Sequence, residues 1–300
     1  MINIASGANH SLRYVAESTA GTTPTNPSTA ILAHKACSLI ISRETINSET
    51  LRGDRMIPDA ITGTSAISGS IDCELGAEEY DDLLEAALAG NWESDVLKAG
   101  MTKHSFTFER AFTDIGQYGV FRGCYINNFT LSVNPSALAN ASFAVVGLSG
   151  EYATSQLAVP TASKNPAAFN SFTGSLEVDG TELAIVTGLE LSLENGIEAQ
   201  YALMDRSAKA VSYGRSNLTG TITAFFADAT LLGKFLNDTA VSLVLTLERN
   251  NASYEFKIPR LFYTGADNAV SGEGVISLSM PFQAAICDTL GTNLQITRIL

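Results

Sequence analysis

The chain has 300 residues, of which 45% are hydrophobic and only 16% charged, which is comfortable for two domains at ~100–200 residues each. That apolar content excludes a disordered chain. A formal net charge of −13, divided as −7 over residues 1–150 and −6 over residues 151–300, excludes a protein that grips nucleic acid through clustered Lys and Arg.

The first residues, Met1-Ile-Asn-Ile-Ala-Ser-Gly7, lack a basic segment followed by an apolar run, and no stretch approaches ~18 consecutive apolar residues. The expectation is a soluble protein without a membrane anchor, made in a reducing cytoplasm. Residues 1–34 read as an N-terminal arm, with a turn-rich segment at 21–28. The first alternating strand is Ser38-Leu-Ile-Ile-Ser-Arg-Glu44, followed by a long polar connection holding Arg52, Asp54 and Arg55. A second strand, Ala66-Ile-Ser-Gly-Ser-Ile71, has Gly69 at its centre, and residues 77–88 read as an amphipathic helix with an acidic first turn that suits the helix dipole. Strands around residues 106–110, 118–120 and 142–148 complete the half.

The same order recurs. Gly188-Leu-Glu-Leu-Ser-Leu-Glu194 aligns with residues 38–44 at an offset of 150, and Asp205-Arg206 with Asp54-Arg55 at 151. Asn217-Leu-Thr-Gly-Thr-Ile222 falls on residues 66–71 at 151, with Gly220 on Gly69. A helix at 228–237 with Asp228 as N-cap follows. Leu245-Thr-Leu-Glu-Arg249 then matches Phe106-Thr-Phe-Glu-Arg110 at 139, an insertion near residues 90–101 accounting for the change; Tyr254 follows on Tyr118, and residues 275–281 on 142–148. Any one match between Thr/Ser/Leu-rich strands is unremarkable. Six in collinear order indicate a duplication, the alternative being two unrelated β-rich domains.

The expected fold is mainly β with short helices (α+β): two tandem copies of an antiparallel β-sandwich or partial-barrel domain, each with one flanking α-helix. The domains are 35–152 and 169–286, joined by a linker at 153–168 with Pro160 and Pro166, and followed by a C-terminal extension at 287–300.

Nothing in the sequence spells catalysis. His10, His34 and His104 sit in separate segments, the four cysteines form no CxxC pair, and no nucleophile elbow, P-loop or zinc-protease motif occurs. Neither a catalytic residue, a cofactor site nor a metal site is expected. The densest acidic cluster, around Glu78, Asp82 and Glu85, reads as one solvated or lumen-facing helix face rather than a calcium site. The recurring charged loops, with Arg52, Asp54, Arg55, Asp205 and Arg206, read as contacts to a neighbouring subunit, or else as solvated turns. A duplicated, low-charge, sheet-rich protein of this kind suits repeated contact with itself, head to tail, in a closed ring.

Ser11-Leu-Arg-Tyr-Val-Ala-Glu-Ser18 before Gly21-Thr-Thr-Pro24, then Leu51-Arg-Gly-Asp-Arg55, then Glu79-Tyr-Asp-Asp-Leu-Leu-Glu-Ala-Ala-Leu-Ala-Gly-Asn-Trp92, resemble the major tail tube proteins of siphophages. The resemblance implies a structural virion protein of the phage tail, not an enzyme, assembled in the host cytoplasm into stacked rings around a channel for DNA ejection. The charged loops and arms would then join successive rings, and partners would include tape measure and terminator proteins. DNA would pass without specific binding, because a negative lumen repels phosphates. Duplication then predicts a homotrimer with six domains per ring, a hexamer with the second domain displayed outside being the alternative. A carbohydrate- or receptor-binding β-sandwich is the competing reading; the single Trp92, beside a helix, disfavours it.

Overall fold

The computed structural model describes residues 4–164, 167–227, 230–270 and 272–300. The chain is 53% strand and 6% helix. Its first half contains β1 (His10–Ala16), β2 (Ala30–Leu32), β3 (Ala36–Cys37), β4 (Ile40–Asn47), β5 (Ala60–Glu74), α1 (Asp81–Leu88), β6 (Val96–Lys98), β7 (Phe106–Phe112), β8 (Gln117–Val133), β9 (Asn140–Gly147) and β10 (Ser149–Ala153). The second half contains β11 (Gly174–Val178), β12 (Thr181–Glu182), β13 (Val186–Glu194), β14 (Glu198–Tyr201), β15 (Ala208–Ser212), β16 (Asn217–Phe225), α2 (Thr230–Leu236), β17 (Val241–Arg249), β18 (Ala252–Tyr263), β19 (Ser277–Ala284) and β20 (Gln295–Ile299).

All strand pairings between these elements are antiparallel, and the sheets do not close into a barrel. In the first half the strands lie in the order β2, β1, β7, β8, β9, β5, β4. In the second the order is β12, β11, β17, β18, β19, β16, β13. β10 and β20 lie on the free side of the first part of β8 and β18, respectively. Both β7–β8 and β17–β18 carry a bulge at matching places, between Phe106 and Phe108 and between Val241 and Leu243. A bulge bends and twists its strand, which lets each long strand leave one sheet layer and enter the other.

Alternation supplies the core. Ile67, Ile71, Phe129, Leu131, Phe143, Val145, Leu189, Leu191, Ile222 and Met280 point inward from one layer, and Leu12, Phe108, Phe121, Leu245, Phe256 and Ile258 from the other. They form one continuous apolar cluster across both halves, with Phe129 stacked 6.5 Å from Phe256. Gly69 and Gly220 sit where strands approach most closely. A Cβ on Gly69 would lie 2.6 Å from the Leu39 backbone, and one on Gly220 would lie 2.4 Å from the Glu190 carbonyl.

Several elements differ from expectation. The first helix begins at Asp81 rather than residue 77, and Glu78 adopts φ 65° outside it. The second helix runs Thr230–Leu236, its expected cap Asp228 lying outside the described residues, as does Pro166. The insertion at 90–101 contains β6, which pairs with β20. Residues 10–16, expected within an arm, form β1 between β2 and β7, and the C-terminal stretch supplies β20. Short strands paired at both edges are stabilised by their neighbours, a tertiary effect that local pattern does not carry.

Buried and half-buried carboxylates tie the remaining segments down. Glu79, 6% exposed, accepts from Ala33 N at 3.0 Å, Ser163 Oγ at 2.6 Å and Lys164 N at 2.9 Å. It thereby fixes the N-terminal segment and the connection between halves at one point. Glu109, fully buried, pairs with Arg13 at 3.0 Å and accepts from Leu157 N at 2.7 Å. Glu17 accepts from Gly21 N, Ser105 Oγ, Thr107 Oγ1 and Gly123 N, clamping the β8 bulge at Gly123. Glu79→Ala is expected to cost about 1.5–3 kcal/mol, the range for hydrogen bonds to a charged group, and to expose residues 153–164 to limited proteolysis. An unchanged urea midpoint and digestion pattern would contradict this.

Candidate assembly interfaces

The seam between the halves is a strand pairing. Residues 128–133 of β8 run antiparallel to residues 189–194 of β13, with Leu131 opposite Leu191 and Phe129 opposite Leu193. This pairing merges one layer of each half into a single sheet in the order β4, β5, β9, β8, β13, β16, β19. At the seam, buried Asn195 donates from Nδ2 to the carbonyls of Ala87 (2.8 Å) and Ile126 (3.1 Å).

One face of this sheet packs on the core and the other is polar. Ser68, Ser70, Asp72 and Glu74 of β5 alternate with its buried residues, as do Asn128, Thr130 and Ser132 of β8, Glu190, Ser192 and Glu194 of β13, and Thr219 and Thr221 of β16. The face bears four carboxylates at these positions and no Lys or Arg among them. Lys35 reaches its margin, bonding Asn140 at 2.7 Å.

The acidic cluster is occupied differently from a bare helix face. Asp82 accepts from the Tyr14 hydroxyl at 3.0 Å, Glu85 from Trp92 N at 2.7 Å, and Glu78 pairs with Lys164 at 3.2 Å. These groups line a cleft of about 460 Å³ shared with Arg298. Asp81, which the sequence places in the acidic cluster without a role of its own, is the centre of a second seam. Tyr254 of β18 donates its hydroxyl hydrogen to Asp81 and accepts from Glu78 N at 2.7 Å. Arg298 of β20 bonds Asp81, bonds Asp95 at 2.9 Å and lies 4.3 Å from the Trp92 ring centroid. Burial pushes the Asp81 carboxyl upward, opposed by the Tyr254 hydrogen bond and the Arg298 charge.

The charged loops have different settings. In the 48–59 loop Arg52 and Asp54 are 3.9 Å apart, Asp54 also accepts from Met56 N at 3.1 Å, and Arg55 is exposed. Leu51 at 97% exposed and Ile57 at 61% stand out beside them. The corresponding β14–β15 hairpin lies against the first half of its own chain. Ser65 N donates to the Arg206 carbonyl at 2.7 Å and Ala208 N to the Leu148 carbonyl at 3.2 Å, and Ile197, Ala208 and Val211 pack with Tyr125 and Leu148. Asp205 pairs with Lys209.

Among the described residues there is no group of three or more His, Cys, Asp or Glu placed to hold a metal, and no helix long and apolar enough to cross a membrane. His10 and His34, distant in sequence, are brought together at 2.8 Å. Arg110 donates from Nε to His10 Nε2 at 3.3 Å, and arginine is a donor only. His10 therefore carries its proton on Nδ1 and donates to His34 Nε2, leaving His34 Nδ1 to donate to the Leu32 carbonyl at 3.1 Å. His104 bonds the Gly90 carbonyl at 2.7 Å.

Two outcomes follow from these contacts. Tyr254→Phe leaves the Glu78 N–H without its acceptor and Asp81 with one donor fewer, and is expected to lower unfolding free energy by about 1–3 kcal/mol in urea denaturation; no loss would show that the seam does not depend on it. Burial, with the His34 and Arg110 charges, lowers the His10 pKa from 6.5 to about 4. The folded state thus stays neutral while the unfolded state binds a proton, so His10 makes stability fall as pH drops from 6.5 toward 4. His10→Gln should flatten that part of the pH profile, and an identical profile in the variant would contradict the assignment.

The family model for the phage tail tube protein matches residues 7–284, nearly the whole of both halves. Among curated proteins none matches the chain. With a match of that extent over an antiparallel, mainly β fold, the chain belongs to the phage tail tube protein family and is a structural component of the virion tail.

Proposed function

We propose that this protein is the tube-forming subunit of a siphophage tail, self-assembling into rings that stack around a channel for DNA. Each chain contributes two tandem copies of one domain, 35–152 and 169–286, connected by 153–168 and completed by the segments at 1–34 and 287–300. The identical strand order and the matching bulges of the two halves support the duplication. Three chains then give six near-equivalent units per ring.

The observation that carries the ring reading is the strand pairing of β8 with β13. It is a head-to-tail contact between two like units, the kind that generates a ring when its rotation closes. The polar sheet face with Asp72, Glu74, Glu190 and Glu194 is the natural lumen lining. A negative wall repels phosphate, whereas a basic wall retains DNA by counterion release. Asp54, Arg55 and their loop serve as subunit contacts, and tape measure and terminator proteins meet the stacked rings at the tube interior and end.

Native mass spectrometry of the smallest closed assembly tests the stoichiometry. Three chains of 31.7 kDa per ring is the expected result. Six chains per ring would overturn the pseudo-hexamer, and a protein that stays monomeric at high concentration together with tail assembly partners would overturn the tube reading.

A further inference from the structure

The seam inside the chain specifies the seam between chains. Registers place Cys37 opposite Ile71 and Leu189 opposite Ile222, so residues 37–42 correspond to residues 189–194 of β13 at an offset of 152. Tyr125 opposite Val146 and Phe262 opposite Gln283 put β8 and β18 in correspondence at 137. The isolated bridge between Asp267 and Ser279 continues the same offset from Thr130 opposite Ser142. Residues 265–270 are therefore the second half's version of residues 128–133, the edge that β13 covers.

Among the described residues of the single chain, no strand covers either counterpart. Among the described residues, 265–270 have a single strand contact, the Asp267–Ser279 bridge to β19, and Val270 is 71% exposed. Residues 37–42 pair with β5 on one side and have no strand on the other among the described residues. The hairpin contact shows the same asymmetry. Ser65 is 9% exposed beneath the Arg206 carbonyl, while its counterpart Ser216, at the β5-to-β16 offset of 151, is exposed. Arg55 is the counterpart of Arg206 at that offset, and its loop is largely exposed.

We propose that residues 37–42 of one copy pair antiparallel with residues 265–270 of a second copy, Cys37 opposite Val270, Leu39 opposite Asn268 and Ile41 opposite Ala266. The 48–59 loop of the first copy then lies over the second half of its neighbour in the same ring, the Arg55 carbonyl accepting from Ser216 N. Arg110 donates to the Leu39 carbonyl at 2.6 Å, and a carbonyl oxygen accepts two hydrogen bonds, so this contact leaves room for the strand. The pairing covers both open edges, which an isolated chain leaves exposed to indiscriminate addition. It rests on the ring reading above.

The test needs one new thiol. Cross-strand neighbours have Cα atoms ~4.5–5.5 Å apart, within disulfide range, so Val270→Cys in a Cys287→Ser background should oxidise onto native Cys37 of the adjacent copy. The expected result is a covalent ladder ending at three chains on a non-reducing gel, abolished by adding Cys37→Ser. Rings visible by negative-stain microscopy with no cross-linking above background would overturn the register while leaving the ring reading intact. Absence of rings from the unmodified protein would overturn both.

Discussion

An unpaired strand edge exposes a row of N–H and C=O groups that will bind any compatible strand, and folds must cover it. Here the edge of β8 is covered by β13 from the other half of the chain, through residues 128–133 and 189–194. The contact merges one layer of each half into a single sheet, in which Phe129 lies against both Phe143, at 5.2 Å, and Phe256. It also determines where the polar face runs without a break. Apolar burial then acts across the join, because the core cluster does not stop at the boundary between halves.

The N-terminal segment and the connection between the halves are held by polar groups rather than by a core of their own. Glu17, Glu79 and Glu109 each gather donors from distant positions, and for the buried Glu79 and Glu109 removing one partner is costly because the others are stranded. Asp81, Tyr254 and Arg298 perform the same service between α1 and the second half. The acidic composition therefore has two destinations: some carboxylates fasten the chain internally, and Asp72, Glu74, Glu190 and Glu194 remain on the open sheet face.

Much of this was legible from alternation. The inward residues of β5, β9, β13 and β16 follow directly from period two, and Gly69 and Gly220 mark the tight crossings. Register was less legible for the same reason. Aligning residues 38–44 with 188–194 uses an offset of 150, whereas the pairings give 152; residues 106–110 suggest 139, whereas Phe108 opposite Phe121 and Leu243 opposite Ile258 give 135. A slip of two or four residues keeps every side chain on its proper face, so pattern alone does not detect it. Among the acidic residues, Glu78 read as helical but lies before α1, and the buried role of Glu79 depends on Ala33, Ser163 and Lys164, none adjacent in sequence. The Asp81–Tyr254 seam likewise joins residues that no local motif connects. Recurrence of Asp54-Arg55 and Asp205-Arg206 was visible, but not that one loop rests on its own chain while the other is exposed.

In the proposed assembly, like units meet in the same way within and between chains. A cryo-electron microscopy map of the assembled tube, at a resolution that separates strands, tests it most directly. The expected map shows a continuous inner sheet with strands ~4.8 Å apart at every boundary, so that seams between chains look the same as the β8–β13 seam within one. A ring whose second halves lie outside the inner wall, or whose inner sheet breaks at each chain boundary, would contradict it.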